Sequence, residues 1–270
     1  MLAKDGWKVY TYGLENAEVL KETANVVLTE SLKETVNGID IILGGVPFSS
    51  NGISINNPFS EKNITIQEVF EVAKGKPFIA GGIKPEIAKL ADNVNLIDIL
   101  KREELAVLNT ISTAEGTIQI AMEQTAKTIH GSKVLVMGFG RIGKILAKML
   151  NGIGARVYCE ARKNEDFAWI KAYGYNLVPL KRLKEELHKF DIIINTIPSM
   201  ILTKEYLEQV NSESLIIDVA SLPGGVDTNA AKQLGIRTIS ALSLPGKVAP
   251  ITSAEFIKET LYHILEEIKN

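Results

Sequence analysis

Short apolar runs alternate with amphipathic stretches along most of this chain, which is the pattern of a doubly wound α/β fold. In the first third the pattern predicts strands near 7–12, 25–28, 39–43, 77–80 and 93–97, and helices near 31–36, 65–74, 84–91 and 101–108. An alternating domain normally opens with a strand, whereas residues 1–6 have the pattern of a last helical turn with a glycine stop. We therefore expect the first strand of this sheet to be absent.

A glycine-rich turn follows the apolar run that ends at Met137. It reads Gly138-Phe139-Gly140-Arg141-Ile142-Gly143 and opens an amphipathic helix, after which a second strand begins at Val157. In such a turn the first glycine permits the tight bend, the second lets the backbone approach a pyrophosphate, and the third lets the helix pack on the strand. The spacing predicts a Rossmann domain whose turn residues contact a dinucleotide, against the alternative of a simple glycine-turned joint.

The end of the second strand bears on which dinucleotide is bound. The usual carboxylate position falls on Ala161, with Glu160 one residue early and with Arg162 and Lys163 directly after. Because a shift of one residue along a strand turns a side chain to the opposite face, we expect Glu160 to be poorly aimed at the cofactor. Arg162 and Lys163 favour the 2′-phosphate of NADP over NAD, although a solvated strand end would have the same composition.

The remaining pattern completes the second domain. It predicts helices near 167–173, 182–188, 228–234 and 253–269, and strands near 191–195, 215–219 and 237–240. These three strands end in loops rich in proline, glycine and small polar residues. In open α/β sheets ligands bind at the carboxyl ends of strands, so we predict cofactor contacts from Asn195, Thr196, Pro198, Ala220 and Ser221.

Two further groups are candidates for holding a substrate. Lys247 is a cation in an otherwise uncharged loop. Turn chemistry alone explains the neighbouring prolines and glycines but does not explain the lysine, which either contacts a substrate or does not. Ser112, Thr113 and Glu115 cluster where a helix is predicted to begin and could hold a carboxylate. Ser112-x-x-Glu115 is also a capping box, which needs no ligand.

Composition excludes several classes of function. At 270 residues, 46% of them hydrophobic, the chain is long enough for two domains with real cores. A net charge of −2 gives no reason to expect nucleic acid or an anionic membrane as partner. No apolar run reaches membrane-spanning length and no signal peptide is evident, so we expect a soluble, cytoplasmic protein. The single Cys159 argues against an internal disulfide or a cysteine-cluster metal site, and no metal is expected.

The three histidines narrow the chemistry further. His130 and His188 each precede a predicted strand, at the end of the sheet opposite the cofactor, and His263 lies on the last helix. None is well placed as an acid–base group. A 2-hydroxyacid dehydrogenase, in which a histidine takes the hydroxyl proton, therefore fits poorly.

The order and spacing of the motifs resemble those of the family formed by the A subunits of dipicolinate synthases. The motifs concerned are residues 109–116, 129–132, 138–143, 195–198, 223–225 and 244–250. The resemblance extends from about Gly6 to the C-terminus. The family opens with a strand and a Gly-Gly-Asp turn for which this chain has no counterpart.

That resemblance implies a C-terminal Rossmann domain and a smaller, flavodoxin-like, doubly wound N-terminal domain. We expect an N-terminal domain over 1–110, a linking helix over 111–130, a Rossmann domain over 131–251 and a C-terminal helix over 252–270 that can pack back on the first domain. The family's reaction is the NADP-dependent oxidation of dihydrodipicolinate to dipicolinate in the mother cell of a spore-forming bacterium.

The expected partners are the flavoprotein-like B subunit of a dipicolinate synthase and a small dicarboxylate substrate held by Lys247, Ser112, Thr113 and Glu115; homo-oligomers are also compatible. NAD in place of NADP, a relative of methylene-tetrahydrofolate or shikimate dehydrogenase, and a catalytically silent NADP-binding regulatory protein remain as alternatives.

Overall fold

The computed structural model describes residues 1–269, and the chain divides into two compact units. One unit comprises Met1–Ala106 together with the C-terminal stretch from Ala254, and the other comprises Val107–Ser253. Every ladder that joins the strands is parallel, as the alternation of strands and helices predicts. The predicted α/β fold class is confirmed.

The first unit contains five short strands. They are β1 (Val9–Thr11), β2 (Val26–Leu28), β3 (Ile42–Leu43), β4 (Pro77–Ala80) and β5 (Asn95–Asp98). The helices are α1 (Glu18–Lys21), α2 (Leu32–Thr35), α3 (Ile66–Ala73), α4 (Pro85–Ala88) and α5 (Glu103–Gln124), the last of which continues into the second unit. β1 pairs only with β2, and β3, β4 and β5 form a separate sheet in that order, so the strands predicted for one sheet form two.

The core of the first unit is aromatic. Phe48, Phe70 and Phe78 are almost fully buried and contact one another with ring centroids 5.4–5.9 Å apart. Phe70 lies on α3, which begins at a capping box: the Thr65 side chain accepts from the Glu68 amide, and the Glu68 carboxylate accepts from the Thr65 amide. The cap fixes the start of the helix and thereby the face that packs on β4.

The second unit contains one six-stranded sheet. Its strands are β6 (Lys133–Met137), β7 (Arg156–Ala161), β8 (Asn176–Pro179), β9 (Ile192–Asn195), β10 (Leu215–Asp218) and β11 (Arg237–Ser240). The helices are α6 (Arg141–Gly152), α7 (Asn164–Ala172), α8 (Leu180–Glu186), α9 (Lys204–Leu207), α10 (Thr228–Gln233) and α11 (Leu244–Val248). The spatial order β8-β7-β6-β9-β10-β11 is that of a doubly wound Rossmann sheet, with its reversal between β6 and β9.

Alternate residues of the central strands pack into two different cores. Val134 and Val136 of β6 belong to one cluster, whereas Leu135 and Met137 belong to the other. Both faces are therefore covered, which explains why these strands are continuous apolar runs and were readable from the sequence.

β8, by contrast, was not predicted. Only Leu177 and Val178 are apolar within it, and a proline ends it, so this edge strand has no hydrophobic pattern of its own.

The last helix, α12 (Pro250–Lys269), belongs mainly to the first unit. Lys258 Nζ and Tyr262 Oη both donate to one carboxylate oxygen of Asp5, at 2.8 and 2.6 Å. These hydrogen bonds hold the pKa of Asp5 below its usual value. Farther along, the Arg102 guanidinium makes a bidentate contact with the Glu267 carboxylate at 2.7 and 2.6 Å.

Among the described residues no helix combines the length and the apolar character needed to span a membrane.

The break predicted between a helix near 101–108 and a linking helix over 111–130 is wrong, because α5 runs unbroken from Glu103 to Gln124. The threonine hydroxyls in this stretch do not interrupt the helix, since they donate to backbone carbonyls of the preceding turn. Thr113 Oγ1 donates to Asn109 O at 2.8 Å and Thr117 Oγ1 to Thr113 O at 2.7 Å. Ser112 is therefore in the middle of a helix, and the predicted capping box does not form.

Candidate dinucleotide-binding site

The glycine turn between β6 and α6 requires glycine at its first and last positions. Gly138 has φ +86°, which L side chains rarely adopt. A Cβ on Gly143 would lie 2.1 Å from the carbonyl oxygen of Gly138, so no side chain fits where the helix crosses the turn. A Cβ on Gly140 would meet nothing within 4 Å, and no side chain caps α6 at this residue. The helix N-terminus is thus open to a ligand, as phosphate binding requires.

A cavity of about 470 Å³ lies over this turn. Four of its lining residues are cationic and three are acidic. It is lined by Gly138, Phe139, Gly140, Arg141, Lys144, Glu160, Ala161, Arg162, Lys163, Glu165, Asp166 and Ile197. The structure therefore brings six of the predicted cofactor residues together: Gly138, Phe139, Gly140, Arg141, Arg162 and Lys163.

The other two residues of the turn, Ile142 and Gly143, do not line the cavity. The partly buried Ile142 packs against the core on the α6 face of the sheet, and Gly143 forms the close contact with Gly138.

The Glu160 side chain was expected to be poorly aimed at the cofactor, and the structure corrects this expectation. It is fully buried, lines the cavity, and accepts a hydrogen bond at Oε2 from the Gly138 amide at 3.2 Å. Glu160 pairs in register with Met137, the last residue of β6, where the chain leaves the sheet for the turn. Glu160 does alternate with Cys159 and Ala161, which pack in the core on the α6 face. Because β6 ends at Met137, the long Glu160 side chain can still reach the amide of the turn.

The second oxygen of this carboxylate has no hydrogen-bond partner among the described residues. Burial raises the pKa of Glu160, while the Gly138 amide and the charge of Arg162 act in the opposite direction. A buried oxygen without a partner is costly unless a ligand supplies one. The open helix end, this oxygen and the surrounding cations together fit a dinucleotide, whose phosphates and ribose hydroxyls need such groups.

The loops after β9 and β10 place their predicted residues differently. Thr196 Oγ1 donates to Met137 O at 2.8 Å and lies against the glycine turn. Asn195 and Ala220 are buried, whereas Pro198 and Ser221 are exposed. None of these five residues lines the cavity over the turn, and their contacts with a cofactor stay predictions.

Sequence reasoning missed Asp218 in this region. It is 5% exposed and its carboxylate accepts hydrogen bonds from Asn195 and from backbone amides of the loop that follows β10. An aspartate that ends an otherwise apolar strand was the available signal, since an acidic residue is almost never buried unless it is paired.

The proposed substrate residues lie elsewhere in the second unit. Lys247 is exposed on α11, not in a loop, and its Nζ donates to Leu242 O at 2.9 Å. Ser112 is 1% exposed, and its hydroxyl has no partner among the described residues. Thr113 already donates to the helix backbone, and Glu115 lines a different groove, with Met122 and Met149. The amides after Ser112 lie within a helix and are not free for an anion, which corrects that part of the expectation.

Comparison with known proteins identifies the family. The family model that describes the N-terminal domain of the dipicolinate synthase A subunit matches residues 1–100. The solved dipicolinate synthase A chain of Bacillus subtilis superposes with a TM-score of 0.91 at 31% identity, covering 99% of this chain and 91% of that one. The chain belongs to the family of dipicolinate synthase A subunits. This membership confirms the family predicted from the motifs.

Two further comparisons agree. The dipicolinate synthase A subunit of Bacillus halodurans gives a TM-score of 0.89 at 28% identity, covering 98% of this chain and 91% of that one. The curated dipicolinate synthase A subunit of Bacillus subtilis (strain 168) is 42% identical over 176 residues, which are 64% of this chain and 59% of that protein. The matched part thus spans less than two thirds of the curated relative.

A second family model matches residues 109–230 and is described as D-isomer specific 2-hydroxyacid dehydrogenase, NAD binding domain. The match concerns the domain that holds the cofactor. It supports a nicotinamide dinucleotide as the ligand of the cavity over the glycine turn.

The close contact at Gly143 can be tested with two glycine-to-alanine substitutions on the same helix. Gly143→Ala should weaken dinucleotide binding by about 5- to 150-fold, because relieving the contact with Gly138 O costs about 1–3 kcal/mol and moves the turn. Gly152→Ala, on the same helix but with nothing within 4 Å of the added Cβ, should leave binding unchanged. Calorimetric titration of both variants measures this, and equal affinities would contradict the assigned role of the turn.

Proposed function

We propose that this protein is the A subunit of a dipicolinate synthase and that it oxidises dihydrodipicolinate to dipicolinate with NADP. The observation that carries the proposal is the cation-lined cavity over an open helix end, in a chain whose family bears the name dipicolinate synthase. The setting that family membership supports is the mother-cell cytoplasm of a sporulating bacterium, with a flavoprotein-like B subunit as partner.

The reaction moves one hydride from the dihydropyridine ring to the nicotinamide and releases one proton. The products are dipicolinate, NADPH and that proton. Aromatisation supplies driving force, so a strong histidine base is dispensable. The protein must hold the ring at hydride-transfer distance and provide partners for two carboxylates.

NADP is the proposed form of the cofactor because Arg162, Lys163 and Lys144 all line the cavity. Arginine is suited to a 2′-phosphate, which it can contact with two parallel hydrogen bonds. Glu160 is the opposing group, since a carboxylate at a strand end can accept a ribose hydroxyl and favour NAD. One of its oxygens already accepts a hydrogen bond from the Gly138 amide, and burial raises the pKa of its carboxyl group.

Arg162→Ala should weaken NADP binding by roughly 1.5–3 kcal/mol, the range for a hydrogen bond to a charged group, and leave NAD nearly unchanged. Arg182→Ala serves as control, because Arg182 pairs with Glu186 on α8 and does not line the cavity. Titration of each variant with both dinucleotides decides the matter. A wild-type preference for NAD would instead identify Glu160 as a ribose ligand.

For the substrate, Lys247 is the proposed cation. Its ammonium is exposed and contacts one backbone carbonyl, so donors remain for a carboxylate. Pro245 and Gly246 share its helical turn, and Pro250 follows closely. A cation on a short, proline-bounded segment loses less entropy on binding. The unpartnered hydroxyl of Ser112 is the proposed partner of the second carboxylate, with Thr113 and Glu115 beside it.

Lys247→Met retains the length of the side chain and removes its charge. Turnover of the substrate should fall roughly ten- to a hundredfold, because a contact of about 1.5–3 kcal/mol is lost at the substrate only. NADP affinity should stay within about twofold. Lys232→Met, at an exposed position on α10, is the matched control. Normal kinetics in Lys247→Met would show that this lysine does not touch substrate.

The function itself is tested by supplying dihydrodipicolinate and NADP, with and without the B subunit, while following NADPH and the ultraviolet absorption of the aromatic product. We expect turnover that depends on the B subunit or rises with it. Turnover by this chain alone, unchanged by the B subunit, would contradict the proposed partnership. Cofactor binding without reduction under any condition would identify a silent regulatory protein, and turnover of methylene-tetrahydrofolate or shikimate instead would identify a different dehydrogenase.

A further inference from the structure

A buried polar pair closes the carboxyl ends of two neighbouring strands. Asp218 is the last residue of β10 and Asn195 the last of β9, and the two residues are paired in register. Asp218 is 5% exposed and Asn195 is fully buried. A carboxylate is expensive to bury unless several donors compensate for its lost hydration. The position of Asp218 therefore calls for an explanation beyond packing.

The carboxylate of Asp218 holds both ends of the loop 220–225. Its Oδ1 accepts from the Ala220 amide at 3.1 Å and from Asn195 Nδ2 at 2.8 Å, and its Oδ2 accepts from the Gly225 amide at 2.9 Å. Two of its three donors are thus backbone groups at opposite ends of one loop. The hydrogen bonds to the Asp218 carboxylate therefore fix the shape of this loop.

Both glycines of this loop make room for the polar pair. A Cβ on Gly224 would lie 2.8 Å from Asp218 Oδ2, and a Cβ on Gly225 would lie 2.5 Å from Asn195 Nδ2. The two glycines of the Pro-Gly-Gly sequence therefore let the backbone approach Asp218 and Asn195 closely. Turn formation alone does not explain why both positions are glycine. Asn195 also bonds both backbone groups of Ile197, at 3.2 and 3.0 Å, so the loop after β9 is fastened to the same pair.

Within the loop the Gly224 amide also donates to Ser221 O at 2.9 Å, and the side chains at the tip are uncovered. Leu222 is 78% exposed and Ser221 is exposed as well. A leucine presented on a firmly anchored loop is suited to contact a ligand. β9 and β10 form the half of the sheet beyond the reversal point, which in a Rossmann domain receives the nicotinamide nucleotide, whereas the glycine turn and β7 receive the adenosine half.

We propose that Asp218, together with Asn195, is a positioning residue that fixes the loop 220–225 so that Ser221 and Leu222 contact the nicotinamide half of the dinucleotide. This inference rests on the proposed function, specifically on dinucleotide binding. Asp218 itself touches no ligand. Its effect should reach the nicotinamide and leave the adenosine half of the cofactor undisturbed.

The test compares NADP with adenosine 2′,5′-bisphosphate, which lacks the nicotinamide half. In Asp218→Asn the new amide group places N–H donors against an existing donor, so the loop loses an anchor. NADP binding should weaken about tenfold, the loss expected for a charge-assisted contact, whereas bisphosphate binding should stay within about twofold. Asp92→Asn, at an exposed position of the first unit, is the control. NAD with ADP forms a parallel pair of ligands.

The outcomes are distinguishable. Equal weakening of both ligands, or no change in either, would overturn the positioning role. A wild-type protein that binds neither pair of ligands would instead contradict the proposed dinucleotide site. Should Asp218→Asn fail to fold, Leu222→Ala provides the same test, because removing an exposed side chain does not disturb the core. It should weaken NADP severalfold and spare the bisphosphate, and identical affinities for both ligands would overturn the proposal.

Discussion

The close approach of α6 to the glycine turn is the constraint on which the second unit depends. The helix can stand directly over the end of β6 only because Gly143 has no side chain where the Gly138 carbonyl passes it. That approach aims the helix N-terminus, with its unpaired amides and positive end of the dipole, at the space above the sheet. The anion site is therefore a consequence of backbone packing, before any charged side chain is added.

The charged side chains then decide which anion fits. Four cations and three acids line the cavity, and one of the acids, Glu160, accepts a hydrogen bond from the Gly138 amide of the turn. A buried carboxylate in this place holds the turn and at the same time opposes a second negative charge. For the proposed cofactor site we therefore expect the selectivity between NADP and NAD to depend on the balance between Arg162 and Glu160.

Local patterns in the sequence were sufficient for most of the fold and for part of the site. The apolar central strands and the glycine spacing of the turn depend on neighbours in sequence, so both were predictable. Glu160 was misjudged because β6 ends at Met137, and a long side chain on the neighbouring strand can reach past that end to the turn. The break in α5 was wrong because a hydroxyl such as that of Thr113 can bond within a helix as well as cap one. Asp218 was missed because its partner Asn195 lies 23 residues away, beyond any local pattern.

Glu160 and Asp218 solve the same structural problem at two places. Each lies at the carboxyl end of a strand, each is buried, and each accepts a hydrogen bond from a glycine amide, Gly138 in one case and Gly225 in the other. At both glycines a Cβ would collide with residues at the end of β9 or in the loop after it, Thr196 and Ile197 at Gly138 and Asn195 and Ile197 at Gly225, so each backbone turn also packs closely against that segment. Buried acids thus accept hydrogen bonds from backbone amides at two places along this edge of the sheet, and in both places they fix the course of the chain just beyond a strand.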